Sequence, residues 1–149
     1  MSPLKVVFIC TGNTCRSPMA QVMAAKIFAD AGLKAEVASA GVNAWDNQPA
    51  SRHAISAMKE AGLCLRAHRA AIVSEAMMEE ATLVLAMTGS HRAVLLSDYP
   101  GATEKIFTLG GYVGDDVDVC DPFGGSLEEY RACAAQIKEM LLQVTERLS

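Results

Sequence analysis

Four short apolar runs, separated by stretches of helical spacing, confine this chain to a narrow set of folds. Residues 5–10 carry β-branched Val6, Val7 and Ile9 with no polar alternation, the pattern of a strand buried on both faces. Residues 36–40, 83–87 and 105–108 are the other runs. The intervening spacing predicts helices. Ser17 and Pro18 offer an N-cap and a first helical position, and Met19, Val22, Met23 and Ile27 share one face until Gly32. Residues 52–61 stop at Gly62, residues 74–81 form a short helix, and residues 88–99 close at Tyr99-Pro100-Gly101. A Gly- and Asp-rich loop covers 110–125. Leu127, Tyr130, Ala134, Ile137, Leu141, Val144 and Leu148 then fall three and four apart, as on a long amphipathic helix. The expectation is an α/β fold: one domain over residues 1–149, with a four-stranded parallel sheet flanked by helices on both faces.

Composition narrows the functional classes. With 149 residues, 51% hydrophobic and 20% charged, the chain can bury a sizeable core. A net charge of −4 argues against nucleic acid as a partner. No apolar run approaches the ~20 residues of a membrane span, and the first run is too short for a signal-peptide core. The five cysteines, Cys10, Cys15, Cys64, Cys120 and Cys133, are an odd set that fits neither a disulfide scaffold nor a zinc pattern. These features predict a cytoplasmic protein with no membrane partner.

In open parallel sheets, ligands sit beyond the carboxyl ends of strands. The turn after the first run reads Cys10-Thr11-Gly12-Asn13-Thr14-Cys15-Arg16-Ser17. A short loop between a strand end and a helix start aims several backbone N–H groups at one point, a nest for a tetrahedral oxyanion. Gly12 and Asn13 tolerate the positive φ such a turn needs. Arg16 supplies a planar fork for two phosphoryl oxygens. The same positive field favours Cys10 as a thiolate, and Ser17 can donate a hydrogen bond to it. A thiolate beneath an oxyanion cradle is placed to attack phosphorus. A lone strand-end Cys is more often inert, but this one is joined by Gly12, Asn13, Arg16 and Ser17 at one junction.

The loop after the fourth run ends Asp118-Val119-Cys120-Asp121-Pro122-Phe123. A phosphoryl transfer needs an acid for the departing atom, and Asp121 is the candidate. Its plainer role would be to cap a turn before Pro122. Asp115, Asp116 and Asp118 read as a solvated loop face, not a metal site.

Cys10-x5-Arg16-Ser17 after the first strand, with Asp121-Pro122 late in the chain, resembles the low-molecular-weight protein tyrosine phosphatase family. The likeness spans essentially the whole chain and includes Ser39-Ala40-Gly41, His68-Arg69-Ala70 and residues 83–87. It implies a cysteinyl-phosphate formed by Cys10, phosphate binding by Arg16 and the loop 11–17, and Asp121 as acid and then base. It implies a strained Asn13 held by Ser17, Ser39 and His68. It also implies a phosphorylated protein or peptide as substrate, and neither a metal nor an organic cofactor. Two positions depart from the commonest pattern, Thr14 for Ile and Thr88 for Asp. Thr14, Phe123 and residues 83–88 resemble the bacterial protein-arginine phosphatase branch instead. An Ile beside a guanidino group would strand desolvated N–H donors at about 1–3 kcal/mol each, whereas a Thr hydroxyl can accept. A phosphotyrosine preference with the same mechanism is the alternative.

The resemblance also places aromatic walls at Trp45 and Phe123, which suit a phenol ring and a guanidinium equally. Cys15 lies five positions from Cys10 and is expected to form a reversible disulfide with it under oxidant. A reading of another class is a flavodoxin-like protein binding FMN, because Thr11-Gly12-Asn13-Thr14 resembles that phosphate loop. That motif also wants a hydroxyl residue where this chain has Ile9, and it gives Arg16 no role. A thiol-relay arsenate reductase would need further cysteines near the third strand, and residues 83–91 have none.

Overall fold

The computed structural model describes residues 3–149; Met1 and Ser2, the start of the expected domain, lie outside the described residues. Four strands form the sheet: β1 (Leu4–Cys10), β2 (Ala35–Gly41), β3 (Leu83–Ala86) and β4 (Ile106–Thr108). Their order is β2-β1-β3-β4 and every pairing is parallel. The helices are α1 (Arg16–Asp30), α2 (Arg52–Glu60), α3 (Glu75–Glu80), α4 (Gly89–Asp98), α5 (Leu109–Tyr112) and α6 (Leu127–Leu148), with a 3-10 turn over Pro100–Lys105.

The lack of polar alternation in β1 follows from burial on both faces. Val6, Phe8 and Cys10 face the core under α1 and α6, while Val7 and Ile9 face the one under α3 and α4. β3 repeats the pattern, with Leu83 and Leu85 on the first side and Val84 and Ala86 on the second. Losing a ring such as the fully buried Phe8 would cost about 3–5 kcal/mol. On α6, Tyr130, Cys133, Ile137, Leu141 and Val144 are buried, and Ser126 caps its start by accepting the Glu129 amide. Gly32, at φ 74°, ends α1 as its position predicts.

Three local expectations are corrected. α1 begins at Arg16, so Ser17 does not cap it and Pro18 is not its first residue. Pro18 is tolerated because the first helical amides lack intrahelical acceptors anyway. The second strand runs over Ala35–Gly41, so Gly41 belongs to it although the expected run stops at residue 40. The loop over 110–125 is not wholly irregular, because Thr108 accepts the Gly111 amide and nucleates α5.

From β1 the chain crosses to β2 on one side, then returns to β3 on the other. The switch point therefore lies at the carboxyl end of β1, where a crevice opens. Cys10 is the residue at that end.

Candidate active site

Residues 11–15 bend sharply between β1 and α1. Their carbonyls are tied down from outside. The Cys10, Thr11 and Thr14 carbonyls accept the amides of Val42, Asn43 and Ser51 at 2.9–3.0 Å. The Asn13 carbonyl accepts His68 Nε2 at 2.8 Å. Among the described residues, the amides of Gly12, Asn13, Thr14 and Cys15 donate to no protein acceptor. A loop whose amides are free while most of its carbonyls are tied is an anion nest.

Asn13 holds the bend. It is fully buried with φ 57°. Its Oδ1 accepts the Ala71 amide at 3.0 Å, which leaves Nδ2 as a donor to Ser17 Oγ at 2.8 Å and Ser39 Oγ at 2.9 Å. Ser39 Oγ donates in turn to Gln21 Oε1 at 2.5 Å. Ser17, having accepted from Asn13, has its own proton left for Cys10 Sγ at 2.8 Å. The network thus points a donor at the sulfur, which suits an anionic sulfur. His68 must carry a proton on Nε2 to bond a carbonyl. Burial lowers the pKa of this ring, and the Asn13 bond opposes that.

Arg16 is 5% exposed. Its Nη1 donates to the Val119 carbonyl at 3.1 Å, and Nη2 lies 3.6 Å from Asp121 Oδ2. The acid absent from its sequence neighbourhood comes from the far loop. Asp121 Oδ1 accepts the Phe123 amide at 3.0 Å and so caps the turn, and its Oδ2 faces Arg16.

These groups enclose a pocket of about 280 Å3, lined by Cys10, Thr11, Gly12, Thr14, Cys15 and Arg16, with Asp121 and Phe123 on the opposite side. That volume suits a phosphoryl group and the end of one side chain. A larger groove of about 730 Å3, bordered by Met23, Ile27, Leu63 and Leu142, is lined by no cysteine.

Trp45 is not brought to this pocket. It is 74% exposed, and Gln48 lines the mouth instead. Residues 46–48 are pinned by Asp46 Oδ1 to the Ile72 amide, by the Asn47 amide to Ala70 O, and by Gln48 O to the Ala70 amide. Asn47 turns at φ 70° within this stretch, and the Gln48 amide donates to Trp45 O at 3.5 Å. Cys15 Sγ lies 3.2 Å from Tyr130 Oη, and burial, then that bond, pushes the Tyr130 phenol up to about 12.

His91 was not anticipated. It is buried at the start of α4, with Nε2 2.7 Å from Thr11 Oγ1 and Nδ1 3.0 Å from Thr88 Oγ1. Burial, then the nearby Arg16 charge, lowers its pKa to about 4, against the opposing pull of Asp121 and Asp118. The neutral ring therefore bridges the cradle to the α4 cap. A hydroxyl at Thr11 and a His three residues beyond Thr88 were the available signals. Gly41 was also underread. A Cβ there would press on Thr11 O, and would stand 2.9 Å from Ala44 Cβ and 3.0 Å from Asn13 N.

A thiol at the carboxyl end of the first strand of a parallel sheet, beneath free amides and a buried arginine, defines a thiol-dependent phosphatase site on an α/β fold. Residues 5–149 match the family model described as low molecular weight phosphotyrosine protein phosphatase, and the chain belongs to that family. It is 42% identical over 146 residues to a protein-arginine-phosphatase of Bacillus subtilis (strain 168), covering 97% of each chain. It is 35% identical over 137 residues to the low molecular weight protein-tyrosine-phosphatase PtpB of Staphylococcus haemolyticus, covering 90% of this chain and 92% of that one. Its fold superposes with a TM-score of 0.95 on a YwlE arginine phosphatase variant with a phosphorylated active-site serine, at 41% identity and with 97% and 95% of the two chains covered.

Proposed function

We propose that this chain hydrolyses phosphoarginine in proteins, with Cys10 as nucleophile and Asp121 as acid and then base. The observation that carries the reading is a single pocket lined by the Cys10 thiol, Arg16, Asp121 and Thr14. The phosphoryl oxygens lie on the amides of residues 11–17 and on the Arg16 fork. The Cys10 thiolate attacks phosphorus, and an S–P bond forms as the P–N bond breaks. The electron pair of that bond stays on the departing nitrogen, which takes the Asp121 proton. Water then attacks the phosphocysteine, Asp121 removes its proton, and the S–P bond breaks to release phosphate and the thiolate. Amides fixed by the Asn13 network stabilise charge in both transition states without reorganising.

Thr14 supports the arginine preference. It lines the pocket, and its hydroxyl has only a weak sulfur contact at 3.7 Å, so it is free to serve a polar leaving group. Similarity to a relative named for arginine phosphatase activity, over nearly the whole chain, points the same way. The phosphotyrosine reading is favoured by the family's name, and Phe123, which lines the pocket, suits either substrate. Phosphate release from matched phosphoarginine and phosphotyrosine peptides decides between them, with Cys10→Ser as the blank. The arginine reading expects a strong phosphoarginine preference that collapses in Thr14→Ile. A preference for phosphotyrosine, unchanged by that substitution, overturns it.

Cys15 lines the same pocket as the nucleophile. Under peroxide, Cys10 is oxidised to a sulfenic acid with loss of water, and the Cys15 thiolate displaces hydroxide to give the disulfide. Mass spectrometry after peroxide should find a Cys10–Cys15 linkage, and its absence would sink this role.

A further inference from the structure

We infer that Gln136, on α6 and outside the pocket, is a positioning residue that sets the stance of Asp121, an inference that rests on the acid role proposed above. Gln136 Nε2 donates to the Asp118 carbonyl at 3.1 Å, and its Oε1 accepts the Cys120 amide at 3.1 Å. One carboxamide thereby clasps the backbone of residues 118–120, immediately before Asp121. Three positions earlier on the same helix, the Cys133 thiol donates to the Cys120 carbonyl at 3.4 Å. Burial pushes that thiol up to about 12, so it keeps the proton it donates. Both the amide and the carbonyl of Cys120 are therefore held by α6.

The segment is fastened on its other side by the catalytic apparatus. The Val119 amide donates to Met87 O at 3.0 Å, and the Val119 carbonyl accepts Arg16 Nη1 at 3.1 Å. Asp118 Oδ1 accepts the Gly89 amide at 2.9 Å. Residues 118–120 are thus stretched between α6 and the end of β3, although they belong to no helix or strand. Asp121 itself has little to fix it. Its side chain is 57% exposed, one oxygen is used in its own turn, and the other is 3.6 Å from Arg16. Its placement over Cys10 is consequently set by the peptide that precedes it. Sulfur is a weak donor, so the Gln136 carboxamide is the stronger half of the α6 attachment. An acid must reach the departing atom at hydrogen-bond distance, so a loosened loop weakens protonation while leaving the cradle intact.

The test compares kcat/KM for dinitrophenyl phosphate, whose leaving group departs without a proton, and phenyl phosphate, whose leaving group needs one. Gln136→Met keeps the chain length and removes both hydrogen bonds, and Gln136→Glu retains the acceptor for the Cys120 amide. Asp121→Asn is run beside them. The expected result for Gln136→Met is a loss of about tenfold or more on phenyl phosphate and less than about twofold on dinitrophenyl phosphate. Gln136→Glu should recover part of the loss, and inhibition by inorganic phosphate should be unchanged. The inference is overturned if Gln136→Met loses equally on both substrates, or on neither, while Asp121→Asn loses selectively on phenyl phosphate. If Asp121→Asn shows no such selectivity, the acid role fails, and the positioning role falls with it.

Discussion

At the scale of single residues, the site is a set of polar groups arranged in fixed donor order. Ala71 fixes the Asn13 amide, Asn13 donates to Ser17, and Ser17 has only its own proton left to offer Cys10. His91 closes the opposite side as a neutral ring between Thr11 and Thr88. Its folded pKa of about 4 lies below the ordinary 6.5, so in that interval the unfolded chain binds a proton that the folded chain refuses. The associated stability is complete above 6.5 and is lost as pH falls toward 4. His68, also lowered, contributes with the same sign. Thermal unfolding across that window should show a falling midpoint for the native chain and a shallower fall for His91→Asn. Equal slopes would show that His91 does not titrate as described. That Cys10, Arg16 and Asp121 would share one pocket was legible because a strand–helix junction and a late Asp-Pro mark their places in the chain. The place of His91 was not, because a His beside a helix start reads the same whether its ring faces solvent or the cradle.

At the scale of elements, the cradle works because neighbours hold it from outside. The β2–α2 connection supplies amides to three of its carbonyls, and His68 supplies the fourth donor. Gly41 lets that connection approach. Gly41→Ala would drive a methyl group into Thr11 and Asn13 backbone, with no flexible side-chain tip to give way. Overpacking of this kind costs about 1–3 kcal/mol in stability. The displaced cradle should lower kcat/KM by on the order of tenfold or more, since small misplacements are amplified in catalysis. Denaturant unfolding and steady-state kinetics on one preparation check both, and native kcat/KM in this variant would contradict the close approach. Helix ends show how far sequence signals reach. Gly32 marked its stop correctly, because only a residue at ease with positive φ suits that position. Ser17-Pro18 misled because Ser17 is committed to Cys10 and Asn13, a tertiary demand that local cap preference does not contain. Trp45 misled because its loop is set by pairing with residues 70–72, a contact with no local signature.

At the scale of the whole molecule, the parallel sheet was legible because strands buried on both faces carry uninterrupted apolar runs. The strand order β2-β1-β3-β4 was not, since pairing partners leave no trace in periodicity. That order creates the switch point, and the switch point puts Cys10 in a crevice lined by the 11–16 turn, Gln48, Asp121 and Phe123. A chain with net charge −4 thus gathers positive character at one place, around Arg16 and the α1 start. The central claim is that this place performs covalent phosphoryl transfer to Cys10. Rapid-quench mass spectrometry of the native chain mixed with a phosphoarginine protein tests it most directly. The account predicts a burst of phosphate on Cys10 approaching one per chain, followed by slower turnover, with no turnover in Cys10→Ser. Phosphate on another residue, or sustained turnover by Cys10→Ser, would contradict it.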